Sequence, residues 1–316
     1  MGTVTNDAAQ DITQSGKVGL QQNGRAYVWD QGVLTPAAGV PNGNTQMRIN
    51  ELDHIAGSNN LRAYIWRDGV TTPLGTLEND YTFAYGVNDL DQVVGTSYRD
   101  SMNCYRGFLW QNGTMIDIGS LTPNGSTNPT DINNAGQIVG YCGGKPFLYQ
   151  NNQMSQLPIP SGYVVGQATA ISPNGNIAGS CQTDNWQQSQ GIAWINGQMQ
   201  LVGLLPDLSY TDANGVNDLG QVVGVAGPGG GTDPTTAFLW QNGQIYDLNA
   251  ITTNRAGLTV NRIYGINDAG EIVGAASSGV QTHAVLLVPV PEPSALALLG
   301  FGVIGLLTQA WRRRRV

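Results

Sequence analysis

A short segment that recurs seven times constrains the fold of this chain more than any other feature. Its clearest copies read Gly, Val or Ile, Asn, Asp, two variable residues, Gln or Glu, two β-branched residues and Gly. From first to last, the copies are residues 11–19, 49–57, 86–95, 131–140, 170–179, 215–224 and 265–274. Because the closing glycines lie 38 to 50 residues apart, the sequence predicts one repeated supersecondary unit.

Each unit reads as four short strands joined by turns. After the recurring segment comes a second apolar run, then a turn containing Gly or Asn, then a short final run. The second run ends in an aromatic residue in six copies: Trp29, Trp66, Trp110, Tyr149, Trp194 and Trp240. Short apolar runs between Gly-centred turns favour strands over helices, and the regular aromatics are expected to pack between units.

The repeats predict an all-β fold, a seven-bladed β-propeller of four-stranded repeats over residues 1–288. A lone four-stranded unit cannot bury both of its faces, whereas units arranged around an axis bury them against their neighbours. The seventh copy lacks a fourth strand after Val288, and Thr3–Thr5 is expected to supply it and close the ring. An open β-solenoid is the competing architecture.

The Asn-Asp-x-Gly turns are predicted to be structural. Asn and Asp favour turns by bonding their own backbone, and the fourth position needs a positive φ. Gly220 and its equivalents meet that need, and Asp53 and Asp91 replace Gly in two copies. A calcium site at the turns is the alternative, but known calcium loops carry more acids in register. We therefore predict no metal and no cofactor.

The C-terminus predicts a membrane segment. Residues 289–293 form a Pro-rich linker, residues 294–311 are 18 uncharged residues, and residues 312–316 form a basic tail. As a helix, the uncharged stretch would span about 27 Å, close to the thickness of a bilayer core. The arginines would hold that end in the cytoplasm and leave the body outside. A buried core helix is the alternative, which four adjoining arginines disfavour.

This tail resembles the PEP-CTERM sorting signal of bacterial exported proteins. The residues that carry the resemblance are Pro291, Glu292, Pro293, Arg312, Arg313, Arg314 and Arg315, on either side of the apolar stretch. It implies processing by an exosortase in bacteria that make exopolysaccharide or biofilm. The body would then be membrane-anchored on the extracytoplasmic side, or released to the cell surface or matrix after processing.

Residues 8–288 are similar to the HAF-repeat family, named for a His-Ala-Phe element. Only His283-Ala284 keeps the His of that element, and Arg, Lys or Thr takes its place in other copies. The resemblance implies an extracellular repeat protein of no settled activity. The first residues, Met1 to Val4, lack the basic and apolar regions of a signal peptide, so we expect a missing native N-terminus.

Charge and cysteine content narrow the class of partner. Apart from Arg312–Arg315 and Glu292, the chain has 10 basic and 21 acidic residues, a net charge of −11, which repels nucleic acid. The three cysteines, Cys104, Cys142 and Cys181, have no metal-ligand spacing. They permit one disulfide at most, and we expect packing residues or free thiols.

Candidate catalytic residues are sparse. His54 and His283 are the only histidines, and both occupy positions filled by other residues in sister repeats. We therefore predict a non-catalytic surface protein of the cell envelope or extracellular polysaccharide matrix. The first alternative is carbohydrate binding by aromatic residues in loops, for which the candidates are Tyr98, Tyr105, Trp186 and Tyr210. A glycan-active hydrolase or lyase is the second.

Overall fold

The computed structural model describes residues 8–42, 46–78, 81–101, 103–123, 125–184, 188–228, 235–253, 257–279 and 281–290. These residues form antiparallel strands in sets of four, one set for each sequence repeat, except that the last set has three. One four-residue helix, α1 (Leu248–Ile251), follows the sixth set and begins at Asp247, whose side chain caps it. The all-β prediction is therefore confirmed, with this single helical turn as the unpredicted exception.

The strands are numbered along the chain. The first three sets are β1 (Ala8–Ile12), β2 (Val18–Gln22), β3 (Arg25–Asp30), β4 (Val33–Pro36); β5 (Met47–Ile49), β6 (Ile55–Asn59), β7 (Arg62–Arg67), β8 (Val70–Pro73); and β9 (Thr82–Val87), β10 (Val93–Arg99), β11 (Cys104–Gln111), β12 (Thr114–Asp117). The fourth and fifth are β13 (Thr127–Ile132), β14 (Ile138–Cys142), β15 (Lys145–Gln150), β16 (Gln153–Gln156); and β17 (Val165–Ile171), β18 (Ile177–Gln182), β19 (Ser189–Ile195), β20 (Gln198–Leu201). The last two are β21 (Tyr210–Val216), β22 (Val222–Gly227), β23 (Thr236–Gln241), β24 (Gln244–Asp247); and β25 (Thr259–Ile266), β26 (Ile272–Ser278), β27 (Gln281–Leu287).

Within each set, every strand pairs with the next one along the chain. The fifth and sixth sets join into one eight-stranded sheet through a single parallel pairing between Ser189 and Tyr210. Successive sets pack face to face, and a hydrophobic cluster lies between each set and its successor. For example, Trp240 of the sixth set packs with Ala178 and Ala193 of the fifth.

The last set packs on the first. Ala9 and Val18 of the first set form one cluster with Val273 of β26. The described sets therefore surround an axis, with the first strand of each nearest to it, and the arrangement is propeller-like. The six repeated aromatics lie in the packed layers, with Trp110, Trp194 and Trp240 at most 4% exposed.

The two ends of the ring differ. One end, which we call the turn face, carries the tight turns between first and second strands and between third and fourth strands. The side chains of Gln92 and Gln111, one from each kind of turn, are hydrogen-bonded there at 2.8 Å. The opposite end, the loop face, carries the connections between second and third strands and the longer connections from one set to the next. It is this second end that has room for sequence variation.

In the third to seventh sets the closing glycine is required by a bulge in the first strand; these glycines are Gly95, Gly140, Gly179, Gly224 and Gly274. In the third set Val94 pairs with Gly86 and Gly95 pairs with Ala84, so one residue is unpaired between them. The carbonyl group next to that bulge points at the glycine. A Cβ atom on Gly95 would lie 1.8 Å from the Phe83 oxygen, and one on Gly224 would lie 2.0 Å from the Asp212 oxygen. No side chain fits there.

Two predicted secondary structure elements fall outside the described residues. Thr3–Thr5, the expected fourth strand of the last set, is one of them, and β27 has no fourth strand beside it among the described residues. The predicted membrane segment at residues 294–311 is the other. Within the described ranges, the structure contains no helix of the length and apolarity that crossing a bilayer requires.

Candidate functional sites on the axis and the loop face

The asparagine of each repeat closes its own turn. In the sixth set the Asn217 Oδ1 atom accepts a hydrogen bond from the Gln221 backbone N–H at 2.9 Å, and Asn217 Nδ2 donates to Gln221 Oε1 at 2.7 Å. Gly220 has a φ of +73°, and Asp91 at the same position of the third set has +58°. The predicted left-handed position is therefore confirmed, including its occupation by Asp.

The same asparagines also link neighbouring sets. Asn217 Nδ2 donates to the Asn267 carbonyl at 3.0 Å, and Asn267 Nδ2 donates to the Thr13 carbonyl at 3.3 Å, which joins the last set to the first. Equivalent bonds run from Asn50 to Asn88 and from Asn88 to Asn133. These residues are at most 5% exposed. The recurrent Asn therefore ties the ring together as well as shaping each turn.

The fifth set keeps this contact although its turn begins with Ser172. Asn176, four residues later, donates from Nδ2 to the Asn217 carbonyl at 3.2 Å. The asparagine that makes this bond therefore stands at the end of the turn instead of at its beginning. The repeats share a hydrogen bond from an asparagine side chain to the next set, although the asparagine is not always at the same position.

The aspartates that follow the asparagines form a second series of links. The Asp218 backbone N–H donates to Asp268 Oδ1 at 2.8 Å, and the Glu51 N–H donates to Asp89 Oδ1 at 2.8 Å. The Asp268 N–H donates to Gln14 Oε1 at 2.9 Å. Oxygen atoms that a calcium ion would need are therefore used by the protein. Among the described residues no group of three or more His, Cys, Asp or Glu is arranged to hold a metal.

An axial cavity lies among the first strands and extends to the turn face. Its volume is about 170 Å³. Asp11, Arg48 and Asp131 line it from three of the sets, where the equivalent residues of the other sets are glycine or alanine. Small residues leave the space open, and the three charged side chains make one side of it polar.

Each of these carboxylates joins two sets. Asp131 accepts from its neighbour Ile132 at 2.8 Å and from Ile171 of the next set at 2.9 Å, both through backbone N–H groups. Asp11 makes the same pair of contacts with the first and second sets. Arg48 donates from Nε to the Tyr85 carbonyl at 3.0 Å and from Nη1 to the Gln10 carbonyl at 3.2 Å.

Burial is the largest influence on the pKa values of Asp131 and Asp11. It raises the pKa of Asp131 to about 6, against smaller opposing contributions from the Ile171 N–H group and the Arg48 charge. Burial also raises the pKa of Asp11, which Arg48 and two backbone N–H groups partly offset. The cavity therefore contains a carboxyl group whose pKa is raised to about 6, and the positive charge of Arg48 opposes part of that rise. Such a group can exchange protons with a polar ligand at physiological pH.

A cluster of four aromatic rings lies on the loop face of the third set. Tyr98 and Tyr105 are directly opposite each other on β10 and β11, with ring centroids 5.2 Å apart. Tyr81 lies 6.1 Å from Tyr98, and Phe83 lies 6.4 Å from Tyr105. The ring planes of each pair are tilted by 54° to 59° relative to each other, at centroid distances typical of interacting aromatic pairs. Tyr81 is 44% exposed and Tyr105 is 37% exposed, so the cluster presents ring surface to solvent.

The structure brings together two of the four predicted sugar-stacking residues. Tyr98 and Tyr105 are in contact, and the Tyr98 hydroxyl donates to Asn103 Oδ1 at 2.7 Å. Tyr210 begins β21 in the sixth set and covers Gly227, away from this cluster. Trp186 lies outside the described residues.

Sequence reasoning missed Tyr81 and Phe83 of the cluster and the three charged residues of the axial cavity. Tyr81 and Phe83 precede the recurring segment, so the repeat pattern does not mark them. Asp11, Arg48 and Asp131 had one available signal: they are charged at the position before the β-branched residue, where clear copies have Gly. That departure from the repeat distinguishes them.

The two histidines and the three cysteines lie within the turns and strands of the sets rather than in the axial cavity or the aromatic cluster. His54 Nδ1 lies 2.7 Å from an Asp91 oxygen at the turn face, and His283 is 7% exposed within β27. The three cysteines are free and buried. Burial raises the pKa of the Cys181 thiol to about 12, so this thiol is unreactive.

Comparison with known proteins identifies the tail. Residues 289–315 match the PEP-CTERM protein-sorting motif. This sorting motif implies an exported protein with C-terminal membrane anchoring or processing. No curated protein matches the chain in sequence.

Solved structures resemble the body. Oligogalacturonate lyase from Vibrio parahaemolyticus has a TM-score of 0.63 at 11% identity, covering 92% of this chain and 91% of that one. The β-propeller domain of the Trilobed protease from Pyrococcus furiosus, which has an open velcro topology, has a TM-score of 0.58 at 9% identity, covering 92% and 100%. The extracellular domain of a protein described as a one-component system from B. thetaiotaomicron has a TM-score of 0.53 at 11% identity, and this chain spans 39% of it. At these identities the likeness establishes a propeller-like fold alone.

Proposed function

We propose that this chain is an exported, non-catalytic β-propeller of seven blades that an exosortase sorts to the cell envelope or the extracellular polysaccharide matrix. The sorting-motif match at residues 289–315 carries the proposal. The fold supports it, because the Asn and Asp side chains of the repeated turns make hydrogen bonds that link neighbouring sets. The HAF-like character of the repeats belongs to the same proposal.

Processing of the tail tests the proposal. The full chain is produced in an exosortase-bearing host, beside a variant in which Pro291, Glu292 and Pro293 are all alanine. We expect the native chain to yield a shorter extracytoplasmic species and the variant to remain full-length. An exposed body proline, Pro173→Ala, serves as the matched control and should be processed normally. Equal processing of all three proteins would contradict the proposal.

Carbohydrate binding at the aromatic cluster is the second candidate function. The partly exposed rings of Tyr81 and Tyr105 favour it, because sugar rings stack on exposed aromatic faces. We expect Tyr105→Ala to abolish binding to matrix polysaccharide and Tyr105→Phe to retain it, measured by calorimetry. Tyr246→Ala, on β24 of the sixth set and outside the cluster, is the control. Loss of binding in the control alone, or in none of the variants, would exclude this cluster.

A glycan-active enzyme is the remaining alternative. Asp131 and Asp11 in the axial cavity give it a structural basis, and one structurally similar protein is an oligogalacturonate lyase. Release of new reducing ends or unsaturated products from matrix polysaccharide would support it, provided that Asp131→Asn removes the activity. We expect no such activity from the native chain.

A further inference from the structure

The chain leaves the body of the protein at the turn face. Leu287, the last residue of β27, pairs with Ile272, which directly follows the turn at residues 267–271. Pro289 then lies against that turn, since a Cβ atom on Gly270 would be 3.0 Å from Pro289 Cγ. Val288 and Val290 are 58% and 76% exposed on the way out. The sorting tail therefore begins on the face that carries the tight turns.

The tail is short enough to keep this face near the membrane. Six residues lie between Leu287 and Ser294, where the uncharged stretch begins, and with Ser294 they make seven peptide units. Fully extended, they reach about 25 Å. While the tail is in the bilayer, the turn face is therefore the near side of the body, and the loop face with its aromatic cluster is the far side.

The turn face carries exposed apolar residues at one repeated position. The third residue after the β-branched residue of each repeat forms the tip of its turn, and Leu52, Leu90 and Leu219 at that position are 54%, 66% and 71% exposed. Ala135 and Ala269 are the exposed tips of two further turns. Nothing in the turn geometry requires leucine there, because Ser15 and Asn174 occupy the same position elsewhere.

We propose that the turn face is a lipid-facing surface, on which Leu52, Leu90 and Leu219 enter the bilayer interface beside the tail. The inference rests on the proposed function, in the state before the exosortase processes the tail, while residues 294–311 are in the bilayer. Exposed leucines around an axis, with the membrane segment leaving between them, fit the way amphipathic surfaces lie on membranes. Asp89, Asp218 and Asp268 on the same face repel anionic headgroups, so the surface fits a bilayer of low net charge.

The experiment locates each face relative to lipid in the full chain. Leu90→Cys on the turn face and Val164→Cys on the loop face are each labelled with an environment-sensitive fluorophore. Both native residues are exposed, and the three native cysteines are buried, which directs labelling to the new thiol. The proteins are reconstituted into phosphatidylcholine–phosphatidylethanolamine vesicles that carry a headgroup nitroxide quencher, and flotation confirms attachment.

We expect quenching at position 90 to exceed that at position 164 by about twofold or more. Addition of phosphatidylglycerol to the vesicles should reduce the difference. A label at Ala135→Cys should lose quenching when Leu52, Leu90 and Leu219 are all serine, while flotation persists.

The outcomes separate this inference from the proposed function. Flotation with equal quenching at the two positions would overturn the lipid-facing surface and leave the anchored protein. Flotation with Leu90→Cys forming a disulfide-linked dimer that the nitroxide does not quench would overturn it in favour of a second copy on this face. Failure to float would overturn both the anchoring and the inference that rests on it.

Discussion

At the scale of single residues, the side chain of the repeated asparagine both closes its own turn and bonds to the neighbouring set. Asn217 bonds the N–H group of its own turn and the carbonyl group of the next set, and it is fully buried. Buried polar groups that lose their partner destabilise a fold by more than the hydrogen bond itself contributes. The residue is therefore expected to be among the least replaceable of the repeat.

We expect Asn217→Ala to lower the free energy of unfolding by about 1 to 3 kcal/mol, because the buried Gln221 N–H loses its acceptor. The Asn267 carbonyl loses its bond from the neighbouring set and keeps only the bond from Gly270 N–H of its own turn. Denaturant titration followed by tryptophan fluorescence measures the change. Asn174→Ala, at the exposed tip of the preceding turn, is the control and should change stability by about 0.5 kcal/mol or less. Equal effects of the two substitutions would show that the link between sets contributes nothing.

The closing glycine makes a second prediction at this scale. Gly224→Ala places a methyl group against the Asp212 carbonyl oxygen, so the first strand must move. We expect a loss of about 1 to 3 kcal/mol of stability, as for other overpacked sites. Gly113→Ala, where space is open but φ is +79°, provides a comparison for backbone strain alone. A larger loss at Gly113 than at Gly224 would contradict the steric account.

Turn conformations within one repeat could be predicted from the sequence, whereas hydrogen bonds and ring contacts between distant residues could not. The positive φ at Asp91 follows from turn chemistry alone, and it is present. The bond from Asn217 to Asn267 spans 50 residues, and no local pattern distinguishes an asparagine that caps its own turn from one that also links two sets. Tyr81 and Phe83 were missed for the same reason, since their contacts depend on pairing across strands.

At the scale of secondary structure elements, the first strand of each set determines what the axis contains. It presents Asp11, Arg48 and Asp131 in three sets and small residues in the others. Periodicity predicted where these strands lie. It did not predict that one position on each of them converges on the axis, because convergence depends on how many sets close the ring.

The pKa of Asp131 leads to a pH dependence of stability. Its pKa of about 6 in the folded protein lies above the ordinary aspartate pKa of 3.8, so the folded state binds more protons than the unfolded state between these two pH values. Stability therefore falls as pH rises from about 4 to about 6, by at most about 3 kcal/mol from this group. Asp11, raised in the same direction, adds to the fall.

Denaturant titrations at several pH values between 4 and 7 measure this dependence. We expect Asp131→Asn to flatten the fall in stability across that interval, whatever its effect on stability at a single pH. The comparison is made on the slope, because the amide also loses one of the two backbone contacts of the carboxylate. An unchanged slope would show that Asp131 is ionised in the folded state throughout.

At the scale of the whole molecule, the first and last sets are held together by contacts at both the core and the turn face. Ala9 and Val18 pack on Val273, and Asn267 donates to the Thr13 carbonyl. These contacts join residues more than 250 positions apart in the chain, as the separation of 254 between Asn267 and Thr13 shows. Opening the ring exposes a hydrophobic cluster, so closure and global stability are coupled.

The outer edge of β27 is where this closure can be tested. Third strands such as β11 and β23 pair with a fourth strand, whereas the described residues include no partner beyond β27. Unpaired strand edges are costly and prone to association, which favours pairing with a segment from elsewhere in the chain. Thr3–Thr5 precedes β1 by a few residues and stays the predicted partner.

We therefore expect deletion of residues 1–7 to lower the unfolding temperature and to increase hydrogen exchange specifically in β27, measured by mass spectrometry. Replacing Thr3 and Thr5 with proline should reproduce both effects, since proline removes the donors that pairing needs. Unchanged exchange in β27 after both alterations would mean that the ring closes through the contacts of β1 alone, as an open form of the propeller does.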